Sequence, residues 1–241
     1  MATEYNPKIV TDNLVFCVDA ANTKSYPGTG TAWTDMMGVN NGTLTNGPTF
    51  SSDNGGSIVF DGDNDKVELG SIDSSNVLSL SNPAGGGLTI SVAINWTQAG
   101  DNYPRIFNRA NGGNGAGGWS LYVNRSSNNV GKIRMRVDSN SYDLQSSSNV
   151  TPETWEIWTL THVDATNGAW VCYRNGISDN SGTQTYSIPS TTTTAVIGGW
   201  HNSNTDREFK GKIPFVMVYD RALSAVEVKQ NFDAVKTRYG L

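Results

Sequence analysis

Short apolar runs separated by Gly, Asn and Asp constrain the fold of this chain more than any other feature. In the clearest run, residues 88–96, apolar side chains alternate with small or polar ones. The apolar set is Ile90, Val92, Ile94 and Trp96, and the other set is Thr89, Ser91, Ala93 and Asn95. A period of two places one set on each face of a strand, so this run predicts a half-buried β-strand.

Further runs of this kind recur along the chain. They lie at residues 14–18, 57–60, 66–69, 119–124, 132–138, 155–163, 169–174, 195–197 and 213–219. Many short strands joined by polar turns are typical of an all-β, two-sheet antiparallel sandwich. Within 132–138 the alternation predicts which side chains point inward and which outward. The inward set is Ile133, Met135 and Val137, and the outward set is Lys132, Arg134 and Arg136.

One helix is predicted at the C-terminus, over residues 224–240. Ser224 followed by Glu227 has the spacing of a capping box, and Gly240 is a suitable C-terminal stop. The apolar stripe that follows the cap predicts a helix docked on the sandwich. Residues 1–12 are polar and predict an N-terminal arm, which leaves residues 13–241 as one domain.

Composition excludes several classes of function. The chain has 241 residues, a net charge of −5 and no basic block, which argues against a nucleic-acid partner. No apolar run approaches the ~18 residues of a membrane span, and the N-terminus lacks the pattern of a signal peptide. We therefore expect a soluble protein made in a cytoplasm. Cys17 and Cys172 lie in apolar runs and are expected to be buried thiols, although a disulfide between them stays open.

Three stretches together resemble a known family. They are residues 13–28 with 40–44, residues 56–67, and residues 197–224, which include Gly198-Gly199-Trp200 and Tyr219-Asp220-Arg221. In order and spacing they are similar to laminin-G-like domains of the concanavalin A-like superfamily, especially those in virion proteins of tailed bacteriophages. The resemblance implies a jelly-roll sandwich and a place in the virion. It also implies that the protein binds glycan or a neighbouring virion protein, in an oligomeric assembly.

Two alternatives to glycan binding stay open. One is a purely structural decoration or attachment subunit. The other, more remote, is a divergent glycoside hydrolase. Glucanases of this superfamily carry a Glu, an Asp two residues on and a Glu three further, and no such triple occurs here. Glu153 and Glu156 are the nearest pair and lack the Asp. We therefore expect a protein that is not an enzyme.

Two sets of residues are candidates for a site. Asp61, Asp63 and Asp65 alternate in one turn and are candidate Ca²⁺ ligands, with turn stabilisation as the alternative. The candidate glycan or partner contacts flank Gly-rich and polar loops: Tyr103, Arg105, Trp119, Trp200, His201 and Asn202. The outward cations of the 132–138 strand form either a solvated face or a surface that attracts an anionic glycan or an acidic protein.

The arm suggests how the module is used. Its backbone donors and acceptors are expected to be free, and such segments often order on a partner by strand addition or in a groove. We therefore expect residues 1–12 to dock the domain onto a neighbouring subunit. A simple tail is the alternative.

Overall fold

The computed structural model describes residues 7–70, 86–98, 102–110, 118–125, 131–137, 142–163, 167–184, 193–200 and 207–241. Two antiparallel sheets pack face to face, and one helix lies outside one of them. The predicted two-sheet sandwich is therefore confirmed. No helix in the described ranges is long and apolar enough to cross a membrane.

The strands and the helix are numbered in the order in which they follow one another along the chain. They are β1 (Leu14–Asp19), β2 (Ala32–Trp33), β3 (Gly42–Thr45), β4 (Thr49–Ser51), β5 (Ser57–Asp61), β6 (Lys66–Glu68), β7 (Gly87–Trp96), β8 (Arg105–Arg109), β9 (Trp119–Asn124), β10 (Lys132–Val137), β11 (Tyr142–Asn149), β12 (Trp155–Val163), β13 (Gly168–Arg174), β14 (Ile177–Gln184), β15 (Val196–Ile197), β16 (Lys210–Ile213), β17 (Phe215–Tyr219) and α1 (Ala225–Val235). A 3-10 turn, Lys236–Tyr239, extends the helix and ends at Gly240 with a φ of 69°.

The strands form two sheets, which we call the back sheet and the front sheet. The back sheet has nine strands in the order β14-β13-β12-β7-β16-β5-β4, with β17 also paired to β7 and β1 paired to β17. The front sheet has eight strands in the order β11-β10-β9-β8-β15-β6-β3-β2. The run predicted as one strand at 213–219 is two strands, because Pro214 has no N–H to continue the ladder.

The inner core lies between the sheets and is built from the inward set of each alternating strand. Ile90, Val92, Ile94 and Trp96 of β7 all belong to it, as do Ile133, Met135 and Val137 of β10. Gly211 of β16 pairs with Trp96, and a Cβ at this glycine would lie 2.2 Å from the Asn95 carbonyl oxygen. The sequence pattern therefore identified this side of the sandwich correctly.

The other face of β7 is also buried, so the prediction of a half-buried strand is wrong. Ser91 and Thr159 hydroxyls bond each other at 2.8 Å. Thr89 Oγ1 donates to the Arg221 carbonyl at 2.8 Å and accepts from the Leu223 N–H at 2.9 Å. Residues 221–223 thus provide the hydrogen-bond partners of Thr89, and the Ser91 and Thr159 hydroxyls provide each other's, as buried hydroxyl groups require.

A helix layer covers the back sheet. α1 begins at the predicted capping box, in which Ser224 accepts from the Glu227 N–H and Glu227 accepts from the Ser224 N–H at 2.8 Å. Arg221 pairs with both Glu227 and Asp12. Apolar side chains of the helix pack on Ala93, Ile157, Phe215 and Met217 of the back sheet.

The described half of the predicted arm, residues 7–12, lies against this layer. Val10 is buried; its N–H donates to Asn231 Oδ1 at 2.7 Å and its carbonyl accepts from the Tyr219 hydroxyl at 2.9 Å. Gln230 donates to the Lys8 carbonyl at 2.7 Å. The expectation that the arm leaves its backbone groups free and adds nothing to the core is therefore wrong for residues 7–12.

Both cysteines are buried free thiols, as expected. Cys172 belongs to the inner core, whereas Cys17 belongs to the cluster beneath the helix. Burial, together with the nearby carboxylates of Asp19 and Asp35, raises the pKa of the Cys17 thiol to about 12. A disulfide between the two is excluded in this fold, because they lie on opposite sides of the back sheet.

Candidate functional site

Polar side chains line the outward face of the front sheet. Because cross-strand partners share a face, the register places Tyr122 of β9 between Arg105 of β8 and Arg134 of β10. In the same way Ser120 lies between Asn108 and Arg136. The register shifts between Arg105 and Phe107, so Ile106 and Phe107 both reach the core while Arg105 stays outside.

Arginines and aromatic rings alternate at one end of this face. The Arg105 guanidinium lies 4.2 Å from the centre of the Tyr122 ring and 5.2 Å from that of Trp200. The Arg207 guanidinium lies 4.7 Å from Trp200 and 5.4 Å from Tyr103. We call these five residues the arginine–aromatic cluster. Guanidinium groups over ring faces attract electrostatically, and more strongly when they are removed from water.

Backbone hydrogen bonds fix the cluster in place. The Arg105 N–H donates to the Arg207 carbonyl at 2.8 Å, and the Val123 N–H donates to the Pro104 carbonyl at 3.1 Å. Gly198, just before Trp200, donates to the Ile106 carbonyl at 3.0 Å. Three segments far apart in sequence are therefore held side by side, so the cluster is part of the fold rather than of a single loop.

Burial differs across the cluster. Arg105 is 1% exposed and Trp200 is 2% exposed, whereas Tyr103 and Arg207 are half-buried. Burial lowers the pKa of Arg105 to about 9, and the positive charges of Arg207 and Arg136 act in the same direction. Arg105 and Trp200 thus support the cluster from beneath, and Tyr103 with Arg207 forms its accessible edge.

The candidate contacts predicted from the sequence are only partly brought together. Tyr103, Arg105 and Trp200 belong to the cluster, as just described. Trp119 does not: its side chain is fully buried in the inner core, 4.8 Å from the Phe107 ring centre, so its prediction as a ligand contact is wrong. His201 and Asn202 lie outside the described residues.

Sequence reasoning missed two members of the cluster, Tyr122 and Arg207. Tyr122 had a usable signal, because pairing the predicted strands 119–124 and 132–138 as a hairpin places it opposite Arg134. Arg207 had none in its local sequence. It joins the cluster because its carbonyl accepts a hydrogen bond from the Arg105 N–H of β8. No sequence motif predicts this contact between residues so far apart in the chain.

The acidic turn at residues 61–65 lies near the cluster, and its carboxylates accept hydrogen bonds from its own backbone. The Asp61 N–H donates to Asp65 Oδ2 at 3.0 Å, and the Asp63 N–H donates to Asp61 Oδ1 at 2.8 Å. Burial raises the pKa of Asp65, and Asp61 and Asp63 add to that shift. Among the described residues no group of three His, Cys, Asp or Glu side chains is placed to hold a metal ion. Binding of Ca²⁺ by Asp61, Asp63 and Asp65 stays a prediction.

The turn and the cluster belong to one end of the sandwich. Glu208 follows Arg207 and is 4% exposed. A Cβ at Gly199 would lie 1.9 Å from Glu208 Oε2 and 3.5 Å from the Asp65 carbonyl oxygen. The absence of a side chain at Gly199 therefore leaves room for the Glu208 carboxylate, and Gly199, next to Trp200, also lies close to the acidic turn.

In the carboxylate pair that came nearest to a hydrolase pattern, Glu156 has a structural role. Glu156 is 1% exposed, pairs with Arg174, and accepts from the Trp158 indole N–H at 2.9 Å and from the Thr151 N–H at 3.1 Å. Its neighbour Glu153 is exposed. A carboxylate with all these partners is held as a fixed counter-charge rather than as an acid or base for catalysis.

A groove of about 480 Å³ lies on the opposite side of the molecule. It runs between residues 7–11, β1, β17 and the end of α1. Its lining is mainly apolar, with Met36 and Phe215 on its walls. Its charged residues are Lys8, Asp19 and Arg238, and the Arg238 guanidinium donates to the two Asp19 carboxylate oxygens at 2.8 Å and 3.0 Å.

Solved structures with a similar fold come from several carbohydrate-active or receptor-binding proteins. Domain 4 of AbnA, an extracellular GH43 arabinanase from Geobacillus stearothermophilus solved with arabinotriose, aligns with a TM-score of 0.65 and 18% identity over 91% of this chain and 98% of that domain. The receptor-binding domain of a botulinum neurotoxin C/D mosaic aligns with a TM-score of 0.67 and 14% identity, over 93% of this chain and 52% of that one.

Trypanosoma rangeli sialidase gives a TM-score of 0.67 at 14% identity, covering 98% of this chain and 36% of the enzyme. This chain thus corresponds to a part of the sialidase and about half of the neurotoxin domain. At these identities the likeness establishes the fold alone. A search of curated protein sequences gives no match.

A family model provides the stronger assignment. The model for laminin-G-type domains of the "Concanavalin A-like lectin/glucanases superfamily" matches residues 61–229, well over half of the chain. The match includes the acidic turn, β7 to β10, the arginine–aromatic cluster and the capping box of α1. This chain therefore belongs to the concanavalin A-like lectin/glucanases superfamily and has its lectin-like β-sandwich.

Proposed function

We propose that this protein is a non-enzymatic carbohydrate-binding module whose ligand lies on the outward face of the front sheet. The observation that carries the proposal is the arginine–aromatic cluster, a set of rings and guanidinium groups held rigidly at the edge of a lectin-family sandwich. Support also comes from proteins of the same fold, one solved with arabinotriose and one that is a receptor-binding domain.

The chemistry of the accessible edge suits a sugar. A pyranose or furanose presents C–H groups on one face and hydroxyls at its rim. The half-buried Tyr103 ring offers an apolar face with a polar tip, and the Arg207 guanidinium lies 5.4 Å from the centre of that ring. Because Arg105 and Trp200 fix the geometry from beneath, little conformational entropy is lost when a ligand binds.

The carboxylates of the described residues support a non-catalytic role. Retaining hydrolysis needs two carboxyl groups about 5 Å apart, one as nucleophile and one as acid and base, and inverting hydrolysis needs two that are farther apart with room for a water. Glu156 is already bonded to Arg174, Trp158 and Thr151. Asp61 and Asp65 accept hydrogen bonds from their own turn. The described residues therefore give the module groups for holding a glycan and no paired carboxylates for cleaving one.

The setting we propose is the virion of a tailed bacteriophage, exposed on a head, tail or fibre. The support is the resemblance of residues 13–28, 56–67 and 197–224 to laminin-G-like domains of phage virion proteins. In that setting the module is made in the host cytoplasm, assembles with other virion proteins as an oligomer, and presents the front sheet outward. A decoration subunit without a glycan site is the alternative.

Glycan binding is tested with the whole chain on a panel that includes arabino-oligosaccharides, neutral glucans, and sialylated, uronic and sulfated glycans. We expect at least one class to bind. Arg207→Gln should weaken that binding about tenfold, because a charged hydrogen-bond donor is lost. Lys229→Gln, an equal charge change on the exposed side of α1, should leave binding unchanged. Absence of binding across the panel would favour the decoration subunit.

The virion setting is tested separately. Peptides of this chain should be found by mass spectrometry in purified phage particles, in proportion to the known structural proteins. A chain that is abundant in infected cells and absent from particles would contradict the setting without touching glycan binding. Calcium is tested by melting the protein in millimolar Ca²⁺ and in excess chelator. Identical curves would remove Asp61, Asp63 and Asp65 as Ca²⁺ ligands.

A further inference from the structure

Polar and aromatic side chains meet on the back sheet at the point where the helix layer ends. Along β7, Ala93 is fully buried beneath the layer, whereas Asn95, the next outward residue, is half-buried. The register places Asn95 between Trp155 of β12 and Lys212 of β16. Because cross-strand partners share a face with their Cβ atoms about 5 Å apart, these three side chains are immediate neighbours.

The turn before β5 fixes the two outer side chains of this row. The Trp155 indole N–H donates to Asn54 Oδ1 at 3.1 Å, and Asn54 donates in turn to a carbonyl of the 3-10 turn after α1 at 2.9 Å. Lys212 Nζ lies 3.5 Å from Asp53 Oδ2, so the two charges offset each other. We call these residues the Asn95 patch: Asp53, Asn54, Asn95, Trp155 and Lys212.

The middle of the row has an unused carboxamide. None of the residues that the structure describes bonds the Asn95 side chain, although both of its neighbours are tied to the turn. A carboxamide offers two N–H donors and an acceptor oxygen, which water or a ligand must satisfy at a half-buried position. The half-buried Trp155 ring beside it packs on Tyr239, with 5.0 Å between the ring centres, and so has a fixed orientation.

From this arrangement we infer that the Asn95 patch is a second glycan site, on the sheet opposite to the arginine–aromatic cluster, and that it takes a neutral sugar ring. The inference goes beyond the proposed function, because it does not depend on the cluster. A pyranose packs its C–H face against an aromatic ring such as Trp155, and its hydroxyls both donate to and accept from a carboxamide such as Asn95.

The charges of the patch favour a neutral ring over a charged one. The Asp53 carboxylate is 70% exposed and can accept from a sugar hydroxyl while it stays paired with Lys212. Because Trp155 and Lys212 are already held by the turn, few side chains lose conformational freedom when the ring binds.

The test is affinity electrophoresis of the whole chain in native gels that contain mannan, xylan or β-glucan. We expect at least one of these neutral polysaccharides to slow migration. Asn95→Ala should weaken that binding about tenfold, because the bonds between the carboxamide and the hydroxyls are lost. Its urea midpoint should equal that of the wild type, since no described residue loses a hydrogen bond. Trp155→Phe keeps a ring against Tyr239 and should weaken binding by a smaller factor.

A matched control separates ligand contact from a general effect of the substitution. Gln184 is a half-buried carboxamide at the opposite end of the back sheet, where β14 pairs with the start of β13. Gln184→Ala should therefore bind as the wild type does. Should Asn95→Ala fail to fold, Asn95→Val is the second variant, because valine suits a strand and also lacks the carboxamide. Weaker binding is again expected.

The outcomes separate this site from the front-sheet site. Binding that Asn95→Ala weakens and Arg207→Gln leaves intact would support the Asn95 patch. Binding that Arg207→Gln weakens and Asn95→Ala leaves intact would overturn the patch and keep the proposed function. Failure of all three neutral polysaccharides to slow migration would also overturn the patch, and the front-sheet site would then depend on the charged glycans of its own panel.

Discussion

On the back sheet, α1 and residues 7–12 cover an outward face of apolar and small polar side chains, including Ala93 and Ile157. On the front sheet the outward face is built from Arg, Tyr, Asn and Ser on the same kind of strand. Both sheets contribute side chains to the inner core. The outward face of the back sheet is thus an apolar layer where the helix covers it. The outward face of the front sheet carries charged and aromatic side chains.

If the front sheet binds the proposed glycan, the two outward faces divide stability and ligand binding between them. Apolar area removed from water on the back side contributes to folding whether or not a ligand is present. Charges and rings on the front side contribute less to folding, because each charge resists desolvation. If the comparison is sound, substitutions beneath the helix should lower stability, and those on the front should lower affinity.

The largest effect is expected beneath the helix. Phe232 packs in the helix–sheet cluster, and a Cβ at Gly176 would lie 2.9 Å from it. Phe232→Ala should lower the free energy of unfolding by about 3 kcal/mol, because it leaves a cavity between α1 and the back sheet. Urea denaturation measures this. Val226→Ala on the same helix, at a side chain 77% exposed, should change it by less than about 0.5 kcal/mol. A loss below about 1 kcal/mol for Phe232→Ala would contradict the claim that the apolar layer on the back sheet stabilises the fold.

A smaller effect is expected where residues 7–12 are tied to the helix. Asn231 accepts from the Val10 N–H and donates to the Tyr219 hydroxyl at 3.0 Å. Asn231→Ala should cost about 2 kcal/mol, because both buried partners lose a hydrogen bond. Limited trypsin digestion should then cut faster after the exposed Lys8. Val226→Ala, at an exposed position of the same helix, is the control. An unchanged digestion rate would show that Asn231 does not hold the segment.

The capping box should give an effect of about 1 kcal/mol that depends on pH. The pKa of Glu227 is lowered from 4.5 to about 2, chiefly by the hydrogen bond of its carboxylate with Arg221 and also by its hydrogen bonds with Ser224. A carboxyl group whose pKa is lower in the folded state than in the unfolded state stabilises the fold at pH values above the unfolded-state pKa. The advantage over Glu227→Gln should therefore be full above pH 4.5 and vanish as pH falls toward about 2.

Urea denaturation of wild type and Glu227→Gln across this range measures the difference. Ser224→Ala is the companion variant, because it removes the hydroxyl cap and keeps the ion pair with Arg221. Its cost should persist at low pH to a greater extent. A gap for Glu227→Gln that stays constant down to pH 2 would show that the carboxylate charge has no role.

The sequence predicted the inner half of the sandwich well and its outer faces poorly. Strands with a regular apolar set, such as Trp119–Asn124 and Trp155–Val163, were found with their observed bounds. Strands such as Tyr142–Asn149 and Ile177–Gln184 were missed, because their residues are mostly Ser, Asn, Asp and Gln. At these edges, pairing with one neighbour strand determines the conformation more than residue type does.

The candidate site was found in part for a similar reason. Tyr103 and Trp200 were chosen because they flank loops, a criterion that also selected Trp119, which is a core residue. Only the register separates the two cases. Trp119 pairs with Val137 and points inward, and the neighbouring Ser120 points outward opposite Arg136. Sequence supplies the alternation, but which strands pair and in what register depends on the whole fold.

The smallest effect on stability is expected at the front edge, where the effect on binding should be largest. The centre of the half-buried Tyr103 ring lies 6.1 Å from the centre of the Tyr122 ring and 5.4 Å from the Arg207 guanidinium carbon. Tyr103→Ala should lower the free energy of unfolding by only about 0.5–1 kcal/mol, because these partly exposed contacts are weak. Affinity for the glycan should fall about tenfold, since the apolar surface under the sugar is lost. Tyr103→Phe keeps the ring and should retain most of the affinity. If Tyr103→Ala instead unfolds the chain as readily as Phe232→Ala does, the front face is a second stability layer, and the separation of the two faces fails.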